Sequence, residues 1–336
     1  MGKSDTADTA VSRPRWRARL LLLGTVCIAA LAIGELLLRV VLGLGNPPLM
    51  VKHPEIGYMF KANQHLMRFG NRIVYNQFHQ RSDPASATPP QGTWRVLMIG
   101  DSVTNGGALT DQDDTISEQL ERLLTDDGPV EVLAASAGSW SVGNEAAYIA
   151  EFGLLGSRTL IWQISSDDLV HSKSLGEGVG KSPSVPTERP LLAWQEMLSR
   201  YALPLVRSIL TSQPSARPSA GQPASDLEAF DECLKYFAEA MHLVQQSGAR
   251  CVVLLDPDRV ELAEGPRYPL LRAQFTAFAQ QHGALVVDLL DSWGPDEAVF
   301  YRGRVHLTPQ GNRAVARRLA DALHELEASG TVQDAQ

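Results

Sequence analysis

Cysteine is scarce in this sequence of 336 residues, which contains only Cys27, Cys233 and Cys251. No two cysteines are spaced as Cys-x-x-Cys and none clusters with histidine, which argues against a zinc site. The acidic run 111–114 does not continue as a calcium loop, because isoleucine stands where that loop requires glycine. We therefore expect neither a metal nor a cofactor. A disulfide between Cys233 and Cys251 stays open, but free cysteine is commonly a buried core residue, and we favour that interpretation.

Positive charge is also in short supply beyond the N-terminus. The first 44 residues hold six basic and three acidic side chains, whereas the whole chain carries a net charge of −8. The remainder is therefore strongly acidic. Nucleic-acid binding rewards clustered lysine and arginine, so we exclude nucleic acid as a partner.

Long apolar runs are absent except at residues 20–45, which follow four arginines between positions 13 and 19. About 25 apolar residues are enough to cross a bilayer as a helix. Glu35 and Arg39 interrupt the run, but they are spaced i,i+4 and can pair on one helix face. The basic flank marks the cytoplasmic side. We predict a cytoplasmic tail (1–19), a single-pass signal-anchor (20–45) in the cytoplasmic (inner) membrane, and an extracytoplasmic, periplasmic body.

A cleaved signal peptide is the alternative for this segment. Residues 30–32 read Ala-Leu-Ala, which resembles a signal-peptidase site. The apolar character continues through Leu44, however, and a cleavable segment ends soon after its site. This favours the anchor.

The body begins with a lead-in over residues 46–94 that shows no sustained periodicity and ends in a linker-like tail. Short apolar strands then alternate with helical patterns over a domain at 95–328, interrupted by an insertion at 171–225 and followed by a tail at 329–336. The predicted strands are 95–101, 130–136, 159–165, 250–256 and 284–290. The predicted helices are 115–128, about 143–152, near 190–211, 226–247, about 268–282 and 309–328.

This alternation predicts an α/β fold: a doubly wound three-layer α/β/α sandwich around a mostly parallel five-stranded sheet, preceded by the transmembrane helix. In such sheets, function collects at the carboxyl ends of the strands. Ser102 follows the first strand directly, and His306 lies after the last strand, just before a helix that starts at Thr308-Pro309. A serine hydroxyl becomes nucleophilic when a neighbouring base takes its proton. The two residues are thus a candidate nucleophile and base.

Four motifs carry a resemblance to one known family. VLMIGDSVTNGG (96–107) looks like the first block of SGNH (GDSL-like) hydrolases, and VHLTPQGNRAVARRLADAL (305–323) looks like their last block. LAASAGSWSVGN (133–144) and SSDD (165–168) are similar to the second and third blocks. The resemblance implies an SGNH/flavodoxin-like sheet, Ser102 as nucleophile and His306 as base. It also implies oxyanion donors from the backbone N–H groups of Ser102 and Gly138, with Ser139 as the alternative register for the latter.

Two positions depart from the family pattern. The third-block asparagine, which helps to hold the oxyanion, is Asp167 here. An ionised carboxylate accepts hydrogen bonds and cannot donate one, so either Asp167 is protonated or Asn144 or Asn105 serves instead.

The second departure is the triad acid, three residues before the histidine, which is Gly303 here. Asp291 or Asp296 could replace it from the loop after the fifth strand, or a backbone carbonyl could orient His306.

The resemblance implies a serine-dependent acyl-ester hydrolase or O-acyltransferase that acts through an acyl-serine intermediate. The membrane tether fits acyl chemistry on a large substrate at the cell surface, and the resemblance implies O-acyl groups, in particular acetyl groups, on a cell-surface or exported carbohydrate. The alternative is a catalytically impaired, glycan-binding scaffold protein of a polysaccharide export or modification system, which the two departures favour. A lipase-like esterase is a third interpretation.

Overall fold

The computed structural model describes residues 15–171, 173–211 and 223–333. The first part of the predicted cytoplasmic tail, the middle of the insertion and the last three residues of the C-terminal tail lie outside these ranges. The described part of the chain begins with helix α1 (Arg15–Val40), whose Trp16–Val40 portion is long and apolar enough to cross a membrane.

The lead-in forms four short strands where the sequence shows no periodicity. Strands β1 (Met50–His53) and β2 (Gly57–Phe60) form one antiparallel hairpin, and β3 (Gln64–Arg68) and β4 (Asn71–Tyr75) form another. Each strand has only four or five residues, and buried polar side chains such as Arg68 break the apolar pattern. The first hairpin joins the main hydrophobic core through Ile56, Tyr58 and Met59. The lead-in is thus packed onto the domain.

The predicted central sheet is confirmed. Five parallel strands lie in the order β6-β5-β7-β8-β9. Their bounds are β5 (Trp94–Gly100), β6 (Val130–Ser136), β7 (Thr159–Ser165), β8 (Arg250–Asp256) and β9 (Ala284–Asp288). All five lie within about one residue of the predicted starts, because each is a short, continuous apolar run.

Helices cover both faces of the sheet, as the doubly wound fold predicts. In chain order, the helices after the lead-in are α2 (Ser102–Asn105), α3 (Ile116–Leu124), α4 (Val142–Phe152), α5 (Ala193–Glu196), α6 (Leu203–Thr211), α7 (Pro223–Gln246), α8 (Glu261–Glu264), α9 (Pro269–Gln281) and α10 (Pro309–Gln333). Of these, α5 and α6 belong to the insertion, and α5 contacts α1. Alternate residues of β5 serve opposite layers: Leu97 and Ile99 pack with α4, α7 and α9, whereas Val96 and Met98 pack with α3 and α10. Cys233 and Cys251 are buried free thiols within the hydrophobic core that contains Leu97 and Ile99.

Buried carboxyl groups lie in the same core, beneath the sheet edge. Glu145 accepts a hydrogen bond from Trp162 Nε1 (2.6 Å), and its other oxygen has no partner among the described residues. Asp168 accepts from the backbone N and the hydroxyl of Ser165 (2.7 and 2.8 Å). Burial raises the pKa of both carboxyls well above the ordinary range; the charge of Asp168 raises the pKa of Glu145 further, and the charge of Asp101 raises that of Asp168.

We predict that Glu145→Gln weakens the pH dependence of stability. A carboxyl whose folded pKa is raised keeps its proton while the unfolded chain releases one, so the free energy of unfolding falls as pH rises above about 4.5. The slope is about 1.4 kcal/mol per pH unit for each retained proton. Glutamine mimics the protonated side chain and does not titrate. Denaturant unfolding between pH 5 and 8 should therefore show a smaller loss in the variant, and equal losses would contradict this account.

Candidate active site

The candidate nucleophile lies in a tight turn between β5 and α2. A Cβ atom on Gly100 would lie 2.3 Å from Gln163 Oε1, so only glycine fits at the end of the strand. Asp101 caps α2 by accepting a hydrogen bond from the backbone N of Val103 (2.7 Å). Burial raises the pKa of Asp101 to about 6, and the nearby charge of Asp167 adds to the shift. Ser102 is therefore the first residue of a short helix at the carboxyl end of the central strand.

Gln163 on β7 fixes this turn from below. Its side-chain oxygen accepts from the backbone N of Asp101 (3.1 Å) and from the Thr104 hydroxyl (3.0 Å). Its amide nitrogen donates to the buried carboxyl of Asp256 (2.7 Å). Sequence reasoning missed this role. The available signal was a single amide within the otherwise apolar stretch of β7.

The loop after β6 brings Gly138 beside Ser102. A Cβ atom on Gly138 would lie 3.9 Å from Ser102 Cβ. Among the described residues, the backbone N–H groups of Ser102 and Gly138 make no hydrogen bond. Ser139, the alternative register, has a left-handed backbone with φ of 62°. Two adjacent N–H groups without a partner are what an oxyanion hole requires.

Tyr58, on β2 of the lead-in, holds that loop in place. Its hydroxyl donates to the carbonyl oxygen of Gly138, and its own carbonyl accepts from Trp140 Nε1 (2.8 Å). Burial raises the pKa of Tyr58, and the charge of Asp101 adds to the rise. Nothing in the sequence of the lead-in indicated this contact.

His306 lies in a loop closed by pairing between Tyr301 and Leu307. Arg302 connects this loop to the nucleophile turn: its backbone N donates to His306 O (2.9 Å), and its guanidinium donates to Gly106 O (2.5 Å). Gly106 ends α2 in the left-handed conformation. The loop of His306 therefore lies against the helix that starts at Ser102.

Neither reactive side chain is engaged in this structure. The hydroxyl of Ser102 and the ring of His306 make no hydrogen bond to each other or to other described residues. Catalytic hydrogen bonds are commonly long or absent before a substrate binds, so this geometry is compatible with a dyad that tightens on binding. Burial lowers the pKa of His306 below its ordinary value of 6.5, and the charge of Arg302 lowers it further. His306 is thus neutral, and able to accept a proton, at neutral pH.

No carboxylate orients His306 in the part of the chain that the structure describes. Asp291 and Asp296 are both exposed, and neither forms an ion pair or hydrogen bond with the imidazole. Gly303 leaves open space at the position of the expected acid, since a Cβ atom there would meet nothing within 4 Å.

Arg302 gives a direct test of the environment of His306. We predict that Arg302→Gln raises the pKa of His306, because it removes the positive charge that disfavours the imidazolium. The acid limb of the pH–rate profile should then move to higher pH, while Arg302→Lys, which keeps the charge, should leave it in place. Both variants retain a hydrogen-bond donor for Gly106. An unchanged acid limb in Arg302→Gln would show that the histidine does not set it.

Asp167, on the loop after β7, is part of a ring of ion pairs with Arg267, Asp258 and Arg304. Its two oxygens accept from Arg267 and from Arg304 (Nη2, 3.0 Å). Asp258 accepts from the same two arginines, at 2.7 Å each. With guanidinium donors on both oxygens, Asp167 offers no proton to an oxyanion. Sequence reasoning missed the two arginines and Asp258, which lie on loops with no recognisable pattern.

The two asparagines considered as alternative donors are already engaged. Asn144 donates to Ile56 O and to Ser174 O (2.7 Å each), which uses both of its amide protons. Asn105 is buried and its amide nitrogen lies within hydrogen-bond distance of Ser136 O and Oγ (3.4 and 3.2 Å). The backbone donors of Ser102 and Gly138 are thus the available ones. Within the described ranges, no group of three or more His, Cys, Asp or Glu residues is arranged to hold a metal ion.

Comparison with known proteins finds one family model that matches part of this chain. The model of the SGNH hydrolase-like domain of the acetyltransferase AlgX matches residues 219–336. The match includes His306 but not Ser102, and it confirms the SGNH resemblance that the sequence motifs indicated. No curated protein matches the chain.

Several solved structures are similar in fold at low identity. One is a lipolytic G-D-S-L family protein from Veillonella parvula, with 14% identity, a TM-score of 0.41, and coverage of 68% of this chain and 97% of that chain. The psychrotrophic esterase EstA from Pseudoalteromonas sp. is 11% identical, with a TM-score of 0.42 and coverage of 70% of this chain and 98% of that chain. A GDSL-like lipase from Bacteroides thetaiotaomicron is 10% identical, with a TM-score of 0.40 and coverage of 72% of this chain and 93% of that chain. At such scores these similarities indicate nothing about the substrate.

Proposed function

We propose that this SGNH hydrolase-like chain is an esterase or acyltransferase that moves acyl groups through Ser102 on an exported or cell-surface carbohydrate. The observation that carries this proposal is the position of Gly138 beside Ser102 at the end of the central strand, where neither backbone N–H has a hydrogen-bond partner among the described residues. Any helix leaves its first N–H groups free, so the N–H of Gly138 beside Ser102 is what distinguishes this turn from an ordinary helix start.

The proposed reaction has two steps. His306 accepts the proton of Ser102 Oγ while the oxygen attacks the acyl carbonyl, and the N–H groups of Ser102 and Gly138 hold the developing oxyanion. The tetrahedral intermediate collapses to acyl-Ser102 as the imidazolium gives its proton to the leaving sugar oxygen. Water or a second sugar hydroxyl then attacks the acyl-enzyme as His306 accepts its proton; the acyl–Ser102 bond breaks, and the imidazolium returns the proton to Ser102 Oγ. The acceptor decides whether the outcome is hydrolysis or transfer.

Acetyl is the group we favour, and a single experiment addresses both outcomes. The full chain in detergent is incubated with an acetyl ester, with and without a mixture of oligosaccharide acceptors. We expect acetate release without acceptors, and acetylated oligosaccharide with them if the protein is a transferase. Absence of both products from the folded protein would contradict the proposal. A glycan-binding scaffold is less well supported, because it gives no reason for two unpaired N–H groups beside Ser102.

We further propose that α1 anchors the chain, with its N-terminus in the cytoplasm and the body outside. The arginines before the apolar run support this orientation. Contacts between α1 and the insertion support retention of α1: Trp194 Nε1 donates to Leu31 O (3.0 Å), within the Ala-Leu-Ala sequence considered above as a cleavage site.

Reporter fusions test this topology. Gly92 lies in an exposed turn, and a reporter that is active only outside the cytoplasm should be active when fused after it. A cytoplasmic reporter at the same position should be inactive. The reverse pattern would contradict export, and a mature protein that lacks its first 32 residues would contradict the anchor.

A further inference from the structure

The insertion contains a helical segment that starts on the surface of α1. Helix α5 continues through a π-helical turn (Met197–Ala202) into α6, which gives one helical run from Ala193 to Thr211. We refer to it as the insertion helix. Its N-terminus is capped by Glu35 of α1, whose carboxylate accepts from the backbone N of Ala193 (2.8 Å) and of Trp194 (3.1 Å).

This contact lies well inside the proposed membrane span. Trp194 Nε1 donates to Leu31 O, and the Trp194 ring fills the space beside Gly34, where a Cβ atom would lie 2.4 Å from it. At 1.5 Å per residue, Leu31 lies about 13 Å before the end of α1 at Val40. That depth falls within the outer half of a bilayer core about 30 Å thick. The indole N–H, the helix N-terminus and Glu35 all find partners there, as a medium without water requires.

The far end of the insertion helix is apolar, and its side chains are exposed among the described residues. Five large apolar side chains of α6 are at least half exposed: Leu203, Leu205, Val206, Ile209 and Leu210. Its sequence, LPLVRSILT, contains one charged residue, Arg207, whose long side chain can reach the polar interface. Contiguous exposed apolar surface of this kind marks an interaction site. The same insertion helix begins, through α5, on the exposed apolar surface of α1, so its apolar surface continues that of α1.

From this continuity we propose that the insertion helix is a second membrane element, embedded in the outer leaflet beside α1, with lipid acyl chains as the partner of α6. The proposal rests on the membrane span proposed for α1 and goes beyond it. A single helix followed by a flexible tether would let the catalytic domain tumble, whereas two membrane elements fix its orientation.

A buried ion pair connects the insertion helix to the extracytoplasmic domain. Arg68 on β3 donates to Glu196 on α5 (2.5 Å), and the other oxygen of Glu196 accepts from the backbone N of Gly45 (2.6 Å). Both side chains are buried. The end of α1, the second lead-in hairpin and the insertion helix therefore form one rigid joint, which transmits the orientation set by the bilayer.

Site-specific fluorescence in proteoliposomes tests the proposal on the full chain. An environment-sensitive dye is attached to Leu210→Cys or to Leu270→Cys in a Cys27→Ser background. Leu210 and Leu270 are both 77% exposed, so they are matched except for location, on α6 and on α9. Cys233 and Cys251 are buried, and burial raises the pKa of both thiols, so they do not compete for the dye. The wild-type thiol Cys27 serves as the reporter on α1.

The vesicles contain phosphatidylcholine with a nitroxide on the acyl chain, which quenches only dyes within the hydrocarbon. We expect dyes at Cys27 and at position 210 to lose most of their emission, and the dye at position 270 to keep it. Quenching at Cys27 without quenching at position 210 would overturn the proposal and leave the span intact. No quenching at either would refute the span itself. A blue-shifted but unquenched dye at position 210 would show that protein covers α6, which also overturns the proposal. Val206→Cys gives a second reading on the same helix.

Discussion

Replacing Ser102 by alanine is expected to lower the turnover of an acetyl ester by about 10³-fold or more. In the Ser-His-Asp template, loss of the nucleophile or of the base costs up to about 10⁶ in kcat. The expected loss is smaller here because the wild type lacks the acid and starts from a lower rate. His306→Ala should cost a similar factor, since the hydroxyl then has no acceptor for its proton. The double variant should be no worse than either single one, because the two residues act as a unit.

Ser292→Ala is the matched control, because it removes an exposed hydroxyl on the loop after β9 without touching the site. It should retain wild-type turnover. Circular dichroism should show that all variants are folded. Full activity in Ser102→Ala would refute the proposed mechanism, and full activity in His306→Ala would assign the base to another group.

Restoring the missing acid is expected to increase activity. Gly303→Asp places a carboxylate three residues before His306, where a Cβ atom meets nothing within 4 Å and the backbone is not left-handed. Among the residues that the structure describes, no carboxylate orients the imidazole, and an orienting acid is worth up to about 10⁴ in kcat in the triad template. We therefore expect a gain in kcat of up to that factor. The new negative charge should also raise the pKa of His306 and move the acid limb of the pH–rate profile upward.

Gly303→Asn is the control: it fills the space at position 303 without adding the negative charge that would orient the imidazole of His306. It has nearly the same shape without the charge, so it should give little of the gain and leave the acid limb in place. If Asp291 or Asp296 already orients His306 when substrate binds, Gly303→Asp should change little. Asp291→Asn or Asp296→Asn should then lower kcat. That combination would contradict the view that the histidine lacks an acid.

The sequence was sufficient for the parts of the molecule built from continuous patterns. The five apolar strands could be placed because each is buried on both faces, and their parallel order puts Ser102 and the loop of His306 at one edge. Ser102 and His306 carry their own chemical signal at strand ends. The resemblance added Gly138, which the structure places beside Ser102.

The rest could not be predicted because it depends on contacts between distant segments. Tyr58 reaches Gly138 across 80 positions, and Arg267 reaches Asp167 across 100. Glu35 has the spacing of a simple pair with Arg39, and that pair forms at 2.6 Å, but Glu35 also caps a helix more than 150 residues away. A pattern along the chain carries no information about such partners.

Covalent labelling tests the central claim, that Ser102 is an activated nucleophile, most directly. The full chain in detergent is treated with a fluorophosphonate probe at neutral pH, and the modified residue is located by mass spectrometry of its peptides. The account predicts a single phosphonylated residue, Ser102, and a rate of labelling that falls as pH drops and His306 becomes protonated. A folded protein that is not labelled, or is labelled at another serine, would contradict it.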